Sequence, residues 1–345
     1  MQRFVPLLIL VLGTLLAAFR FERQESPAEV IEQTVQAAGN FIQALPAEQR
    51  EAGVFAYDDA EQRELWSNLP EGMFERKGWR LGDLSIDAQN KAWGILSSFL
   101  SEDGFEMVRA NVMCDEVLRL RHGRPSPLYG ADEFFLSFLG TPSTTDPWIL
   151  QFGGHHLALD AHFADGRIVL NPMMNGGNPM NFEWPLIDKD ASTPNESVPV
   201  QQMSREIDLA FELAGTLTPE QRKRAVLGAD HIDWKFGPQR TAALEPAEEG
   251  LPASALNAHQ RALLTSILAE RVEVLHPAHS APVMDELGDE LDQTWFAWYG
   301  PTTAGSAASY RIQGPSVLLE FAPQGRASAA MGHVHAIYWD PGLER

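Results

Sequence analysis

Apolar residues recur at spacings of three and four in a series of segments, the shorter ones with Pro, Asp or Asn near the start. They predict helices over 26–45, 104–120 and 204–217, with shorter ones at 45–55, 85–96, 217–228 and 256–268. Between them lie aromatic and β-branched runs bounded by Gly, Pro or Asp, which predict strands at 133–139, 148–162, 166–171, 294–299, 308–313, 316–322 and 333–339. Ala164-Asp165-Gly166 is a hairpin turn, because Asp-Gly readily takes positive φ. Stretches 172–200 and 236–254, rich in Pro, Gly, Asn and Ser, read as irregular.

The pattern also echoes itself. The run from Phe134 to Asp160 lines up with the run from Trp295 to Glu320, Gly140 matching Gly300, Gly154 matching Gly314 and Asp160 matching Glu320. Short helices precede each copy. The expected fold is therefore α+β, a tandem pseudo-twofold repeat with a mostly antiparallel sheet flanked by helices. Its one domain, 26–345, is built from repeats at about 40–185 and 204–345.

Composition narrows the function. The 345 residues carry a formal net charge of -21 with no offsetting basic stripe, so nucleic acid is excluded as a partner. Residues 1–20 have the layout of a secretory signal peptide, or of an anchor if uncleaved, and imply an exported protein, periplasmic or secreted, touching membrane only through that segment. A single cysteine, Cys114, allows no internal disulfide and reads as a buried small apolar residue. Any metal then falls to His, Asp, Glu or Met. G-x-S-x-G, G-x-G-x-x-G, P-loop and H-E-x-x-H motifs are absent, which argues against serine hydrolases, nucleotide enzymes and zincins.

The remaining chemistry is in the histidines. If GGHHLALDAH is one strand, His156, Ala158, Asp160 and His162 face one way while His155, Leu157 and Leu159 face the more apolar side. His333 and His335, two apart in GHVHAIYWD, point together and can share one ion. His155, His156, His162, His333 and His335 are thus the candidate ligands for a divalent transition metal, zinc first, with copper or iron as alternatives and Met173, Met174 and Met180 nearby to suit copper. Asp160 and Glu320 are the candidate general bases. Arg76 and Lys77 beside Trp79 are the candidate substrate anchor, for a small molecule or polymer of unspecified kind. Two functions fit: a metal-dependent enzyme, a hydrolase, with its site between the repeats, or a non-catalytic exported protein that binds a metal or small ligand.

The phrases ERKGW (75–79), FLGTP (138–142), GGHHLALD (153–160), YRIQGPSVLLEF (310–321) and GHVHAIYWD (332–340) resemble the bacterial and fungal proteins grouped as domain of unknown function 3500. That resemblance implies export and a single α+β unit, and implies no reaction. The chain has Tyr338-Trp339-Asp340 where the family pattern runs aromatic, Arg, Asp.

Overall fold

The computed structural model describes residues 25–121, 128–185, 197–238, 248–325 and 331–343. The signal or anchor expected at 1–20 lies outside the described residues. Among those described, no helix is long and apolar enough to cross a membrane.

The fold is mixed α+β. In chain order, helix α1 (Pro27–Ala44) is followed by β1 (Val54–Phe55), α2 (Ala60–Arg63), β2 (Trp79–Arg80), α3 (Ile86–Phe99) and α4 (Glu102–Arg121). Strands β3 (Phe135–Leu139), β4 (Trp148–Gly154), β5 (Leu157–Ala164) and β6 (Arg167–Gly177) come next, then the hairpin of β7 (Asn181–Pro185) and β8 (Ser197–Gln201). The chain continues through α5 (Ser204–Thr216), α6 (Pro219–Ala225), β9 (Val226–Gly228), β10 (Leu251–Pro252), α7 (Ala258–Val272) and α8 (Pro277–Asp289). It ends in β11 (Trp295–Tyr299), β12 (Ser309–Gly314), β13 (Val317–Pro323) and β14 (Val334–Trp339).

Among the described residues twelve strands join in one mostly antiparallel sheet, ordered β1-β3-β4-β5-β6-β14-β13-β12-β11-β10, with β2 on β3 and β9 on β11. The last strand, β14, is thereby inserted at the centre against β6, which brings the C-terminal histidines beside the first set.

Local chemistry explains the helices. Ser26 caps α1 in a reciprocal box with Glu29, Pro27 opens the first turn, and Val30, Ile31, Thr34, Ala38 and Phe41 form its buried stripe. Thr218 with Gln221 and Asn257 with Gln260 repeat the device on α6 and α7.

Strand alternation divides the core in two. Leu157, Leu159, Ala161 and Phe163 of β5, with Val334, Ala336 and Tyr338 of β14, join the helices in the main apolar cluster, which runs from Val30 to Tyr338. The opposite face carries Ala158, Met174, Leu318, Ile337 and Trp339, covered by Trp66 and Phe236 from two crossing loops.

Four expectations are corrected. Segment 45–55 is not one helix, because Ala47–Gln49 form a single 3-10 turn and Val54–Phe55 pair with β3 as β1. The run 148–162 is not one strand, because His155 and His156 form the turn between β4 and β5. Segment 172–200 is not irregular throughout, since β6 continues to Gly177 and β7 and β8 follow. Helix α8 covers 277–289, where the pattern predicted none, Pro277 opening it and His279, Ser280, Val283 and Leu287 buried beneath it. The turn at Asp165-Gly166 has the expected geometry, with φ of 51° and 73°.

Candidate metal centre

Close packing explains why two glycines precede the histidine turn. A Cβ on Gly153 would lie 2.7 Å from the Leu157 carbonyl oxygen, and one on Gly154 would lie 2.6 Å from the Phe134 ring. The chain then turns with His156 at φ 60°, a left-handed conformation costly for a residue with a Cβ. The turn is pinned from outside. Arg76 donates to the carbonyls of Ser67 (2.8 Å), Leu69 (2.7 Å) and Gly154 (2.9 Å), and the His156 amide donates to Asn68 (3.3 Å). Burial pulls the Arg76 guanidinium down to about 10, with Glu71 and Asp115 pulling the other way.

His156 and His335 project onto opposite sides of Gly176, which pairs with His335 and donates its amide to the His156 carbonyl (2.8 Å). With no side chain between them, the imidazoles meet over the glycine. His333, just before β14, completes the group: its Nε2 stands 3.1 Å from Nε2 of His156 and 3.2 Å from Nε2 of His335. Tetrahedral nitrogen ligands at zinc distances stand about 3.3 Å apart, which the two separations from His333 match, and the ligand atoms of all three histidines lie within 4.8 Å of one another. Among the described residues these three form the group able to hold a metal. Burial, reinforced by the neighbouring imidazoles, holds all three below the ordinary histidine range, His333 at about 4. They are therefore neutral at physiological pH, the form that ligates.

His155 stands behind the group. Its ring stacks on His156 with centroids 3.7 Å apart, and its Nδ1 lies 2.6 Å from Asp115 Oδ1. The other Asp115 oxygen accepts from the Gly130 amide at 2.7 Å, so the carboxylate is held on both sides. Asn111, one turn earlier on α4, donates to the carbonyls of His156 (3.1 Å) and Gly176 (2.7 Å). Trp234 closes the far side, its ring centroid 4.8 Å from that of His335. Among the described residues Nδ1 of His335 is buried without a hydrogen-bond partner, and its polar contact is made through Nε2. His333 is only partly buried and leaves the group open on its side.

The other sequence candidates lie elsewhere. His162 is on β5, its Nε2 2.8 Å from the Asn171 carbonyl oxygen. Asp160 accepts from Gln151 Nε2 (2.9 Å) and follows His156 by four strand residues, about 13 Å of chain. Glu320 accepts from the amides of Lys235 (2.8 Å) and Phe236 (2.6 Å) and from Arg311 Nε (2.7 Å), which anchors the loop that carries Trp234. Lys77 pairs with Glu61 at the surface (2.6 Å). Trp79 is 3% exposed, packs on Phe41 and Phe138, and donates to the Gln49 carbonyl (2.7 Å), leaving no face for a ligand. Met173, Met174 and Met180 are all buried among apolar side chains. Cys114 is buried as expected, and burial pushes its thiol up to about 11.

Sequence reading missed Asp115, Asn111, Gly176 and Trp234. Three had a signal: Asn111 and Asp115 fall among the buried positions of α4 with Val108 and Val112, where a polar side chain needs a partner. Gly176 lies in Asn-Gly-Gly-Asn, and a glycine inside a strand marks close approach.

The family model for proteins of unknown function DUF3500 matches residues 27–344, and the chain belongs to that family. No curated protein and no solved structure matches it.

Proposed function

We propose that this member of the DUF3500 family is an exported metal-dependent hydrolase whose ion is held by His156, His333 and His335. The observation that carries this reading is the spacing of three neutral Nε2 atoms at the distances given above. Zinc suits an all-imidazole set best, and copper or iron are the alternatives. A divalent ion on three imidazoles with a position left open supplies a Lewis acid and a water acidic enough to react near neutrality.

The chain's own residues do the rest. Gly176 lets the ligands converge, Asp115 fixes the ring of His155, and that ring holds His156 by stacking. Trp234 shields His335, while the partly open side of His333 admits substrate. Glu320 is a loop anchor in this reading, not a base.

The halves are read as copies of one unit. Support comes from the element order: β1, β2, α3, α4 and β3 to β6 have counterparts, in the same sequence, in β9, β10, α7, α8 and β11 to β14. The pairing order on either side of the β6–β14 junction supports it too. The centre then lies where the copies meet.

One observation favours the alternative, a non-catalytic metal-binding protein: the carboxylates Asp160 and Glu320 are engaged away from the three histidines. A hydrolysis screen with ester, amide, phosphoester and glycoside substrates separates the two. Turnover lost on chelation, restored by zinc and abolished in His333→Ala supports the enzyme. Metal binding with no turnover across the panel supports the alternative.

A further inference from the structure

The two halves carry the same cross-strand polar pair on the loop-covered face, but among the described residues only one of them is charge-balanced. In the second half Arg311 on β12 sits opposite Glu320 on β13, and its guanidinium binds the carboxylate directly. In the first half Gln151 on β4 sits opposite Asp160 on β5, with the same offset of 160 residues in sequence. Gln151 gives Asp160 a hydrogen bond and no charge. Asp160 is 4% exposed, and burying a carboxylate without a counter-charge is costly.

A cavity of about 100 Å³ adjoins that carboxyl. It is lined by Asp160 and His162, two apart on β5 and so on the same side, by Trp66 and Trp339, whose ring centroids are 5.6 Å apart, and by Arg63 and Glu64. Arg63 does not supply the missing charge: its Nε donates to the Tyr57 carbonyl (2.9 Å) and its guanidinium lies 4.5 Å over the Tyr57 ring. His162 donates from Nε2 to Asn171, which leaves Nδ1 as an acceptor. Two acceptors, two indole rings and an absent cation describe a site for a small organic cation.

We propose that this cavity binds a primary alkylammonium ion, with Asp160 as its counter-charge and Trp66 and Trp339 as its walls. The ligand does in the first half what Arg311 does in the second. In its absence burial pushes the Asp160 carboxyl up to about 7, the cost that a bound ammonium offsets. The site is separate from the histidine centre and does not depend on a metal.

The test uses the full chain after chelation, so that its outcome is independent of the metal reading. Ethylammonium chloride is titrated against tryptophan fluorescence and by calorimetry, with ethanol as the neutral isostere and sodium chloride as the ionic control. Saturable binding of ethylammonium, with none by ethanol, is expected. Asp160→Asn removes the counter-charge and Gln151→Arg supplies an internal cation, and each weakens binding about tenfold or more. Should Asp160→Asn fail to fold, Gln151→Arg carries the test alone. Absence of saturable ethylammonium binding, equal binding of ethanol, or unchanged affinity in a folded Gln151→Arg overturns the proposal.

Discussion

His156 and His335 face each other across a single glycine, their ring centroids 4.9 Å apart above Gly176. The glycine is as much a part of the centre as its ligands. A Cβ there would lie 2.6 Å from the Val334 carbonyl oxygen and 2.9 Å from His335 Cδ2. Gly176→Ala is expected to lower stability by about 1–3 kcal/mol and to weaken metal binding. Urea denaturation and metal competition assays check both; an alanine variant with unchanged metal affinity would show that the imidazoles do not depend on this gap.

The left-handed backbone of His156 is a cost borne at the site. Asn adopts that conformation more readily than His. His156→Asn should therefore leave stability unchanged or raise it by about 0.5–1 kcal/mol while abolishing metal retention. Thermal melting of metal-free protein together with metal content gives the answer. A destabilised variant would mean that the buried imidazole is held for packing.

Asp115 acts through His155. Replacing it with Asn removes the charge beside His155 Nδ1 while keeping nearly the same shape. Groups that hydrogen-bond a ligand directly alter metal affinity by about 10–100-fold, and Asp115 stands one residue further back, so a loss of up to about tenfold is expected. Competition with a chromogenic chelator on Asp115→Asn reads the loss, with circular dichroism as the control for folding. Wild-type affinity in a folded variant would remove Asp115 from the account.

The buried Asp160 gives a pH dependence of known sign. Its folded-state value, pushed up to about 7 by burial, exceeds the ordinary 3.8, so between those limits the native state holds a proton that the unfolded chain has released. Stability from this group is full below pH 3.8 and falls as pH rises towards 7. Asp160→Asn removes the loss, and from pH 4.5 to 7.5 it should gain on the wild type by about 3 kcal/mol. Denaturation midpoints at the two pH values measure the difference. A gap that narrows with rising pH would contradict the assignment of a protonated buried acid.

The sequence revealed the pairing of His333 with His335 and the face shared by Asp160 and Glu320, because strand alternation is a local rule. It also shows glycines at a constant spacing, Gly140 with Gly300 and Gly154 with Gly314. The position of His156 was not legible in this way. Gly-Gly-His-His followed by an apolar run reads as a continuous strand, and only the contacts of Gly153 and Gly154 with neighbouring strands show why the chain turns there. Nor does periodicity give strand order. The insertion of β14 beside β6 decides that His156, and not His162, meets the C-terminal histidines. Arg76 and Trp79 looked like an exposed anchor, but their roles depend on the carbonyls and rings brought to them by distant segments.

The most direct test is the metal content of the purified full chain after dialysis, measured by mass spectrometry of the elements for the wild type, His335→Ala and His162→Ala. The account predicts about one transition-metal ion per chain in the wild type and in His162→Ala, and none in a folded His335→Ala. A folded wild type that neither retains nor takes up zinc, copper or iron, or a His335→Ala that retains the ion, would contradict it.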